Sequence, residues 1–230
     1  MKRIAIITAR GGSKRIPKKN IKEFFGKPII AYTIVAAKNS GLFDEVMVST
    51  DSEEIAEVAR NYGANVPFMR SEKTSNDFAT TRDVLLEVLN EYHKRGKEFD
   101  TMCCLYPTAP FINDKNLIEA YDEFEKRQAK MLVPVVKFSY PPQRAYVISD
   151  GELKFKWEEY RNSRSQDLEP FYHDIGQFYI YDVKTYLEND GIIKENVAAY
   201  IVPETIVQDI DNLDDWKVAE MKYQILNSEN

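Results

Sequence analysis

Residues 3–20 read RIAIITARGGSKRIPKKN, an apolar run followed by a loop that is rich in glycine and basic residues. The run at 3–8 has the length and the composition of a buried β-strand. In an α/β sheet, ligands bind beyond the carboxyl ends of the strands, where the loop that follows this run would lie. We therefore expect the stretch to supply the first strand of a parallel sheet and one wall of a ligand site.

Strand-like and helix-like segments alternate along most of the remaining chain. This βαβα order predicts an α/β fold in three layers, with a mainly parallel sheet that helices cover on both faces. At 230 residues, of which 43% are hydrophobic, the chain suits a single domain over residues 1–230. The predicted strands are 3–8, 44–50, 65–69, 100–106, 131–137, 176–183 and 197–202. The predicted helices are 28–39, 53–62, 80–95, 114–127, 184–189 and 212–226, with Thr80 or Thr81 as the candidate N-cap of the helix at 80–95.

The regular alternation stops at Phe138. Residues 138–170 contain strand-like pieces around an Asp-Gly turn at Asp150 and Gly151, and their aromatic content is high for a surface segment. We interpret this region as an inserted β-hairpin arm that leaves the main sheet. Because arms of this kind often exchange contacts between subunits, we expect a homodimer.

Charge is distributed unevenly along the chain. Residues 1–27 hold nine Lys and Arg against one acid, Glu23, for a net charge of +8, whereas the remainder carries −14. A general nucleic-acid surface is not expected from a chain with so acidic a remainder. The concentration of positive charge in the first turn of the fold instead favours a small polyanionic ligand.

Composition excludes several other classes of protein. The cysteines are the adjacent pair Cys103 and Cys104 in an apolar run, so they predict strand residues rather than a disulfide framework or a zinc site. No stretch approaches the roughly 20 apolar residues of a membrane span. The chain opens directly into a strand pattern without a charged-then-apolar leader, so we expect a cytoplasmic protein without a membrane partner.

The basic loop, residues 10–20, has the chemistry of a triphosphate cradle. Gly11 and Gly12 allow close backbone approach and expose N–H donors, while Arg10, Lys14 and Lys19 add cationic side chains. Neither the P-loop spacing nor the glycine spacing of a dinucleotide-binding turn is present. The competing interpretation is a solvated basic turn without a ligand.

The loop is similar to the R-G-G-S-K-x-x-P-x-K-N signature of the sialic-acid and related sugar-acid cytidylyltransferases. PPQRAY (141–146) and DIGQFY (174–179) resemble the branch of that family that activates pseudaminic acid. One departure is Tyr106, where many members have glutamine before the P-T-[SA]-P step. Other segments that resemble the family are VSTDSEEIAEVA (48–59), DFATTRDVL (77–85), LYPTAPF (105–111), HDIGQFYIYD (173–182) and QDIDNLDDW (208–216).

This resemblance implies a Rossmann-like nucleotidyltransferase fold with a dimerisation arm, and specific roles for individual residues. Arg10, Lys19 and Asp211 would be catalytic, with the two cations holding the triphosphate as pyrophosphate leaves. Asp209 and Asp211, two apart on an extended segment, would share one Mg²⁺. Asp51 is a weaker polar candidate. The implied substrate-binding residues are Gly11, Gly12, Ser13, Lys14, Asn20, Arg70, Thr80, Thr81, Thr108, Arg144 and Gln177.

A structural interpretation competes with the metal-binding one, because acids also favour the first turn of a helix and Asp211 precedes the last predicted helix. The implied reaction is attack of a sugar acid's anomeric hydroxyl on the α-phosphorus of CTP, with a nonulosonic acid, pseudaminic acid above all, as acceptor. The alternatives are another acceptor, such as N-acetylneuraminic acid, legionaminic acid or Kdo, and a non-catalytic nucleotide-binding protein on the same fold. No dedicated general base is evident.

Overall fold

The computed structural model describes residues 1–228. Its strands are β1 (Arg3–Thr8), β2 (Glu23–Phe24), β3 (Lys27–Pro28), β4 (Glu45–Ser49), β5 (Thr101–Leu105), β6 (Met131–Lys137), β7 (Tyr146–Ser149), β8 (Glu152–Phe155), β9 (Tyr172–Asp174), β10 (Phe178–Asp182) and β11 (Val197–Ile201). Its helices are α1 (Ile29–Asn39), α2 (Glu53–Asn61), α3 (Glu72–Ser75), α4 (Thr81–Lys94), α5 (Asp114–Lys126), α6 (Val183–Glu188) and α7 (Leu213–Ser228).

Within residues 1–228, seven strands form the central sheet, in the order β11-β6-β10-β5-β1-β4 with β9 paired to β6. β1 lies parallel between β4 and β5, and β11 lies parallel to β6. β10 is inserted antiparallel between β5 and β6, and β9 is also antiparallel to β6. The strands β4, β1, β5, β6 and β11 therefore share one direction, which confirms the predicted mainly parallel sheet.

The central strands are buried on both faces, as a three-layer fold requires. Ala5 and Ile7 of β1 pack into one core cluster with residues of α1 and α5, while Ile4 and Ile6 pack into another with residues of α4 and α6. The adjacent cysteines follow the same alternation, with Cys103 in the first cluster and Cys104 in the second. Both thiols are free and buried, so they are strand residues as predicted.

Helices α2, α4, α5 and α6 begin at residues whose side chains accept hydrogen bonds from backbone amides of the first turn. Ser52 accepts from the N–H of Ile55 at the start of α2, and Asn113 accepts from Asn116 at the start of α5. Thr80 caps α4, as its hydroxyl predicts. Among the helices that the structure describes, none is both long and apolar enough to cross a membrane.

The predicted strand at 65–69 is wrong. Only an isolated bridge joins Met47 to Asn65, and the chain then leaves the edge of the sheet. Pro67 lacks the N–H that a continuing ladder needs, and the N–H of Arg70 is instead bonded to the carbonyl of Thr50. The chain continues into the short helix α3, which the sequence pattern does not predict.

The arm contains a two-stranded hairpin that is separate from the central sheet. β7 pairs with β8 in antiparallel register, and Ser149 lies opposite Glu152 across the turn. Asp150 and Gly151 both have positive φ, at 53° and 80°, which is the geometry that a tight Asp-Gly hairpin requires. The hairpin is exposed, including the apolar side chains of Ile148 and Leu153.

Candidate active site

A cavity of about 580 Å³ opens at the carboxyl ends of β1 and β5. Thr8, the last residue of β1, and Tyr106, which directly follows β5, both line it. This is the edge where the sequence predicts a ligand site. Among the described residues that line the cavity are the predicted Arg10, Ser13, Lys14, Lys19, Asn20, Arg70, Thr80, Thr81, Thr108, Gln177, Asp209 and Asp211.

Two side chains fix the shape of the basic loop. The amide of Asn20, which is buried, donates to the carbonyl of Arg10 at 2.8 Å and so closes the loop on itself. The carboxylate of Asp51 accepts from the N–H of Gly11 at 2.7 Å. Asn20 and Asp51 therefore hold the loop in place, a positioning function that the sequence does not reveal.

The two glycines differ from the expectation that both present backbone donors to a ligand. The N–H of Gly11 is taken by Asp51, and a Cβ at Gly11 would approach the Cβ of Ser52 to 3.2 Å. At Gly12, by contrast, a Cβ would have no described neighbour within 4 Å. Close packing against the start of α2 explains the first glycine, and open space around the second leaves its backbone accessible.

One wall of the cavity pairs its cations with Asp77. The guanidinium of Arg10 lies 3.1 Å from one carboxylate oxygen of Asp77, and the amine of Lys14 binds the other. Arg10 also donates to the carbonyl of Asn76 at 3.3 Å. The hydrogen bond from Lys14 lowers the pKa of the Asp77 carboxyl below its usual value, so this carboxylate is ionised at neutral pH.

Another wall of the cavity pairs its cations with Asp211. The guanidinium of Arg15 lies 2.7 Å from Oδ1 of Asp211, and the amine of Lys19 lies 4.0 Å from the same oxygen. Lys19 also donates to the carbonyl of Ile210 at 2.7 Å. Burial lowers the pKa of the Lys19 amine, while the charges of Asp211 and Asp209 act in the opposite direction. The basic loop and the segment at 209–211 thus form one charged site.

Asp209 and Asp211 are arranged as an extended segment predicts. Ile210 between them is buried in an apolar cluster, whereas both aspartates line the cavity. The competing role at the helix start belongs to other residues, because Asn212 and Asp215 accept the hydrogen bonds of the first backbone amides. The carboxylate of Asp211 therefore does not cap the helix and pairs with the loop cations instead.

The two carboxylates at this wall suit Mg²⁺ that arrives bound to a nucleotide. No cluster of three or more His, Cys, Asp or Glu side chains arranged for a metal occurs in residues 1–228. Mg²⁺ that is carried by a nucleotide needs only one or two protein carboxylates, since phosphates and water complete its octahedron. Asp209 and Asp211 fit that requirement, whereas a resident metal cage would need further ligands.

The floor of the cavity is formed by Arg70 and the start of α4. Arg70 is buried and donates to the hydroxyl and the carbonyl of Ser49 at 3.0 and 2.6 Å. Burial lowers the pKa of its guanidinium to about 10, so it stays charged at neutral pH. Thr80 is engaged in a reciprocal capping box with Asp83, which leaves Thr81 as the more available hydroxyl.

The remaining wall is aromatic and amide-bearing. The hydroxyl of Tyr106 lies 3.1 Å from that of Thr81, and its ring packs edge-on against Tyr179. Burial raises the pKa of the Tyr106 phenol, so it is a neutral hydrogen-bonding group at this wall. The amide of Gln177, which is also buried, donates to the carbonyl of Ile206 at 2.8 Å.

Comparison with known proteins agrees with this geometry. Residues 4–193 match the family described as Cytidylyltransferase. This chain belongs to the cytidylyltransferase family. It is 43% identical over 226 residues to the pseudaminic acid cytidylyltransferase of Campylobacter jejuni, covering 98% of this chain and 97% of the relative. It is 36% identical to the CMP-N,N′-diacetyllegionaminic acid synthase of Legionella pneumophila, covering 100% and 99%.

The fold is also that of solved cytidylyltransferases. A structure of CMP:2-keto-3-deoxy-manno-octonic acid synthetase complexed with CTP superposes with a TM-score of 0.72 at 18% identity, with 100% of both chains covered. The structure of a 4-diphosphocytidyl-2C-methyl-D-erythritol synthase from Anaerococcus prevotii superposes with a TM-score of 0.64 at 15% identity, covering 97% and 98%. At these identities the likeness concerns the Rossmann-like fold.

In this cytidylyltransferase, four predicted residues are not among the described residues that line the cavity: Gly11, Gly12, Arg144 and the weaker candidate Asp51. Arg144 lies in a short 3₁₀ turn of the arm, where its guanidinium approaches the hydroxyl of Ser165 at 3.4 Å. Arg144 is not among the described residues that line the cavity, so its predicted contact with a sugar stays a prediction.

Several cavity residues of the cytidylyltransferase were not predicted, namely Arg15, Asn76, Asp77 and Gln208. Arg15 stands at a variable position of the quoted signature, but it could have been found because it is basic and lies between Lys14 and Lys19 in the same loop. Asp77 carries a weaker signal, since the loop has a large charge excess that calls for a counter-ion. Neither spacing nor composition points to which acid of the chain provides it.

Proposed function

We propose that the chain transfers CMP from CTP to the anomeric hydroxyl of a nonulosonic acid, with pseudaminic acid as the first candidate, and releases pyrophosphate. The observation that carries the proposal is the single cavity in which Arg10 and Lys19 of the first loop meet Asp209 and Asp211 from the far end of the chain. The named relatives, at 43% and 36% identity over nearly the whole chain, direct the choice of acceptor to nonulosonic acids.

The loop cations would bind the triphosphate. The anomeric oxygen attacks the α-phosphorus, the bond to the bridging oxygen breaks, and negative charge accumulates on the departing pyrophosphate. Arg10 and Lys19 would stabilise that charge from fixed positions, Lys19 being held by the carbonyl of Ile210. Asn20 and Asp51 would keep the loop in the geometry that this requires.

We propose Asp209 and Asp211 as the protein ligands of Mg²⁺ bound with the nucleotide. The ion would neutralise phosphate charge and lower the pKa of the attacking hydroxyl. The contribution of the chain is to hold two carboxylates side by side on an extended segment, anchored by the buried Ile210.

The wall formed by Tyr106, Thr81, Thr108 and Gln177 would receive the sugar acid, because it offers hydroxyl and amide groups rather than charge. We further propose that the exposed arm pairs two chains into a homodimer and that Arg144 reaches the acceptor only in that dimer. The exposed apolar side chains of the arm support its role in dimer formation. We place the reaction in the cytoplasm, where CTP is available.

Pyrophosphate release measured with CTP and Mg²⁺ against a panel of sugar acids tests the proposal. The panel contains pseudaminic acid, N,N′-diacetyllegionaminic acid, N-acetylneuraminic acid and Kdo, and mass spectrometry identifies each CMP-sugar. The highest kcat/KM is expected with pseudaminic acid. No release with any nonulosonic acid would refute the proposal.

The same panel separates the alternatives. Release with Kdo alone would assign the chain to a different acceptor class, and release with a nonulosonic acid other than pseudaminic acid would correct only the acceptor. CTP binding without turnover would indicate a non-catalytic nucleotide-binding protein.

A further inference from the structure

Asp77 binds the same cations that the proposed function assigns to the triphosphate. Its two carboxylate oxygens are divided between Arg10, at 3.1 Å, and Lys14, so one side chain bridges two positive groups. Asp77 itself lines the cavity. A carboxylate that bridges two cations in this way resembles a phosphate in charge and in hydrogen-bond acceptors.

The carboxylate is held where it is by its neighbours in the chain. The side chain of Asn76 accepts from the N–H groups of Phe78 and Ala79, and the capping box of Thr80 and Asp83 fixes the residues that follow. The segment that carries Asp77 is thus anchored on both sides. Its placement beside Arg10 and Lys14 follows from backbone geometry as well as from attraction between charges.

We infer that Asp77 competes with phosphate groups for Arg10 and Lys14, and so sets the affinity of the site for CTP and for pyrophosphate. The inference rests on the proposed function, which makes these cations phosphate ligands. A triphosphate must either displace the carboxylate or bind beside it, and like charges repel in both cases. The ion pairs are half exposed, so displacement is inexpensive.

Competition of this kind would help the reaction cycle. After CMP transfer, pyrophosphate remains bound to the cations that stabilised its formation, and tight binding slows its release. A carboxylate that returns to Arg10 and Lys14 lowers the affinity for the product. Asp77 would therefore lower the affinity for CTP and, in return, speed the release of pyrophosphate.

Asp77→Asn tests the inference because it removes the charge and keeps the size and shape of the side chain, although only one of the two acceptor oxygens remains. Binding of inorganic tripolyphosphate is measured by isothermal titration calorimetry without Mg²⁺. We expect the Kd to fall about fivefold, the scale of two exposed ion pairs, and inhibition by pyrophosphate in turnover assays to strengthen in parallel. Asp77→Glu, which keeps the charge, should retain the Kd of the unchanged protein within about twofold.

Glu54→Gln is the matched control, since Glu54 pairs with Lys18 of the same loop, and neither residue is among the described residues lining the cavity. This variant should bind tripolyphosphate as the unchanged protein does. An unchanged or higher Kd in Asp77→Asn would overturn the inference, and so would failure of the unchanged protein to bind tripolyphosphate. Because this assay uses neither CTP nor a sugar acid, failure of the proposed function would appear separately, in the pyrophosphate-release assay.

Discussion

Two aspartates of the cavity lining bind cations of the basic loop, and they are alike in chemistry and exposure. The side chain of Asp211 is 42% exposed and pairs with Arg15 and Lys19, while that of Asp77 is 49% exposed and bridges Arg10 and Lys14. They differ in a carboxylate neighbour. Asp211 has Asp209 two residues away on an extended segment that lines the same cavity, whereas Asp77 is not part of that pair.

This difference shows that pairing with a cation does not by itself define the function of an acidic residue in the cavity. Under the proposed function, a cation carried in by the substrate would bind to Asp209 and Asp211. At Asp77, to which no metal is assigned, an anionic substrate would compete for the two cations that the carboxylate bridges. Loss of a carboxylate charge should therefore weaken substrate binding at the wall that carries Asp211, the first wall, and strengthen it at the wall that carries Asp77, the second wall.

The largest effect on this comparison is expected at Arg10, because both Asp77 and the triphosphate would bind its guanidinium. Arg10→Ala should lower kcat/KM on the order of 100-fold or more, the usual effect of removing one donor to developing charge. Steady-state pyrophosphate release measures it. Arg60→Ala, which removes a cation that pairs with Glu53 on α2, serves as control and should keep full activity. An active Arg10→Ala enzyme would remove the basis of the comparison.

A somewhat smaller loss is expected at the first wall. Asp211→Asn should reduce kcat by roughly 50-fold and raise the Mg²⁺ concentration needed for half-maximal rate, because one of two carboxylate ligands is lost. Titration of activity with Mg²⁺ checks it. Asp214→Asn changes an exposed acid three residues away that pairs with Lys217, and it should leave the titration unaltered. If both variants behaved alike, Asp211 would have no special position.

The interaction at the second wall can be dissected by a double-mutant cycle. In an Arg10→Ala background, Asp77→Asn should tighten tripolyphosphate binding only about twofold, since Lys14 alone remains for the carboxylate to neutralise. Calorimetry on the four proteins of the cycle measures the coupling. An effect of Asp77→Asn that is independent of Arg10 would show that the two residues act separately.

A similarly small effect is expected outside both charged walls. Tyr106→Phe removes a hydroxyl that lies 3.1 Å from Thr81 and should raise the KM for the sugar acid by about threefold, with the KM for CTP unchanged. Steady-state kinetics with each substrate varied in turn checks it. A change confined to the KM for CTP would place the nucleotide, not the sugar acid, against this wall.

Local patterns predicted most of the fold. The apolar run of β1, the hydroxyl cap of α4 and the Asp-Gly turn of the arm all depend on residues that are close in sequence. The strand expected at 65–69 was wrong for a reason that is only partly local, since Pro67 interrupts pairing and the N–H of Arg70 finds the carbonyl of Thr50 across the sheet edge.

Site residues were predictable where they belong to a sequence motif. Ion pairs between residues that are distant in sequence were not. Asp77 is 63 residues from Lys14 and 67 from Arg10, and Asp211 is 196 residues from Arg15. Sequence spacing gives no indication of such pairs. The packing of Gly11 against Ser52 and the bond from Asn20 to Arg10 likewise require the folded chain.

The most direct test of the central claim is a crystal structure with CTP and Mn²⁺ replacing Mg²⁺, analysed by anomalous scattering. The account predicts an anomalous peak coordinated by the carboxylates of Asp209 and Asp211 and by phosphate oxygens, with the triphosphate bound to Arg10 and Lys19. A triphosphate bound away from the basic loop, or a Mn²⁺ peak remote from Asp211, would contradict it.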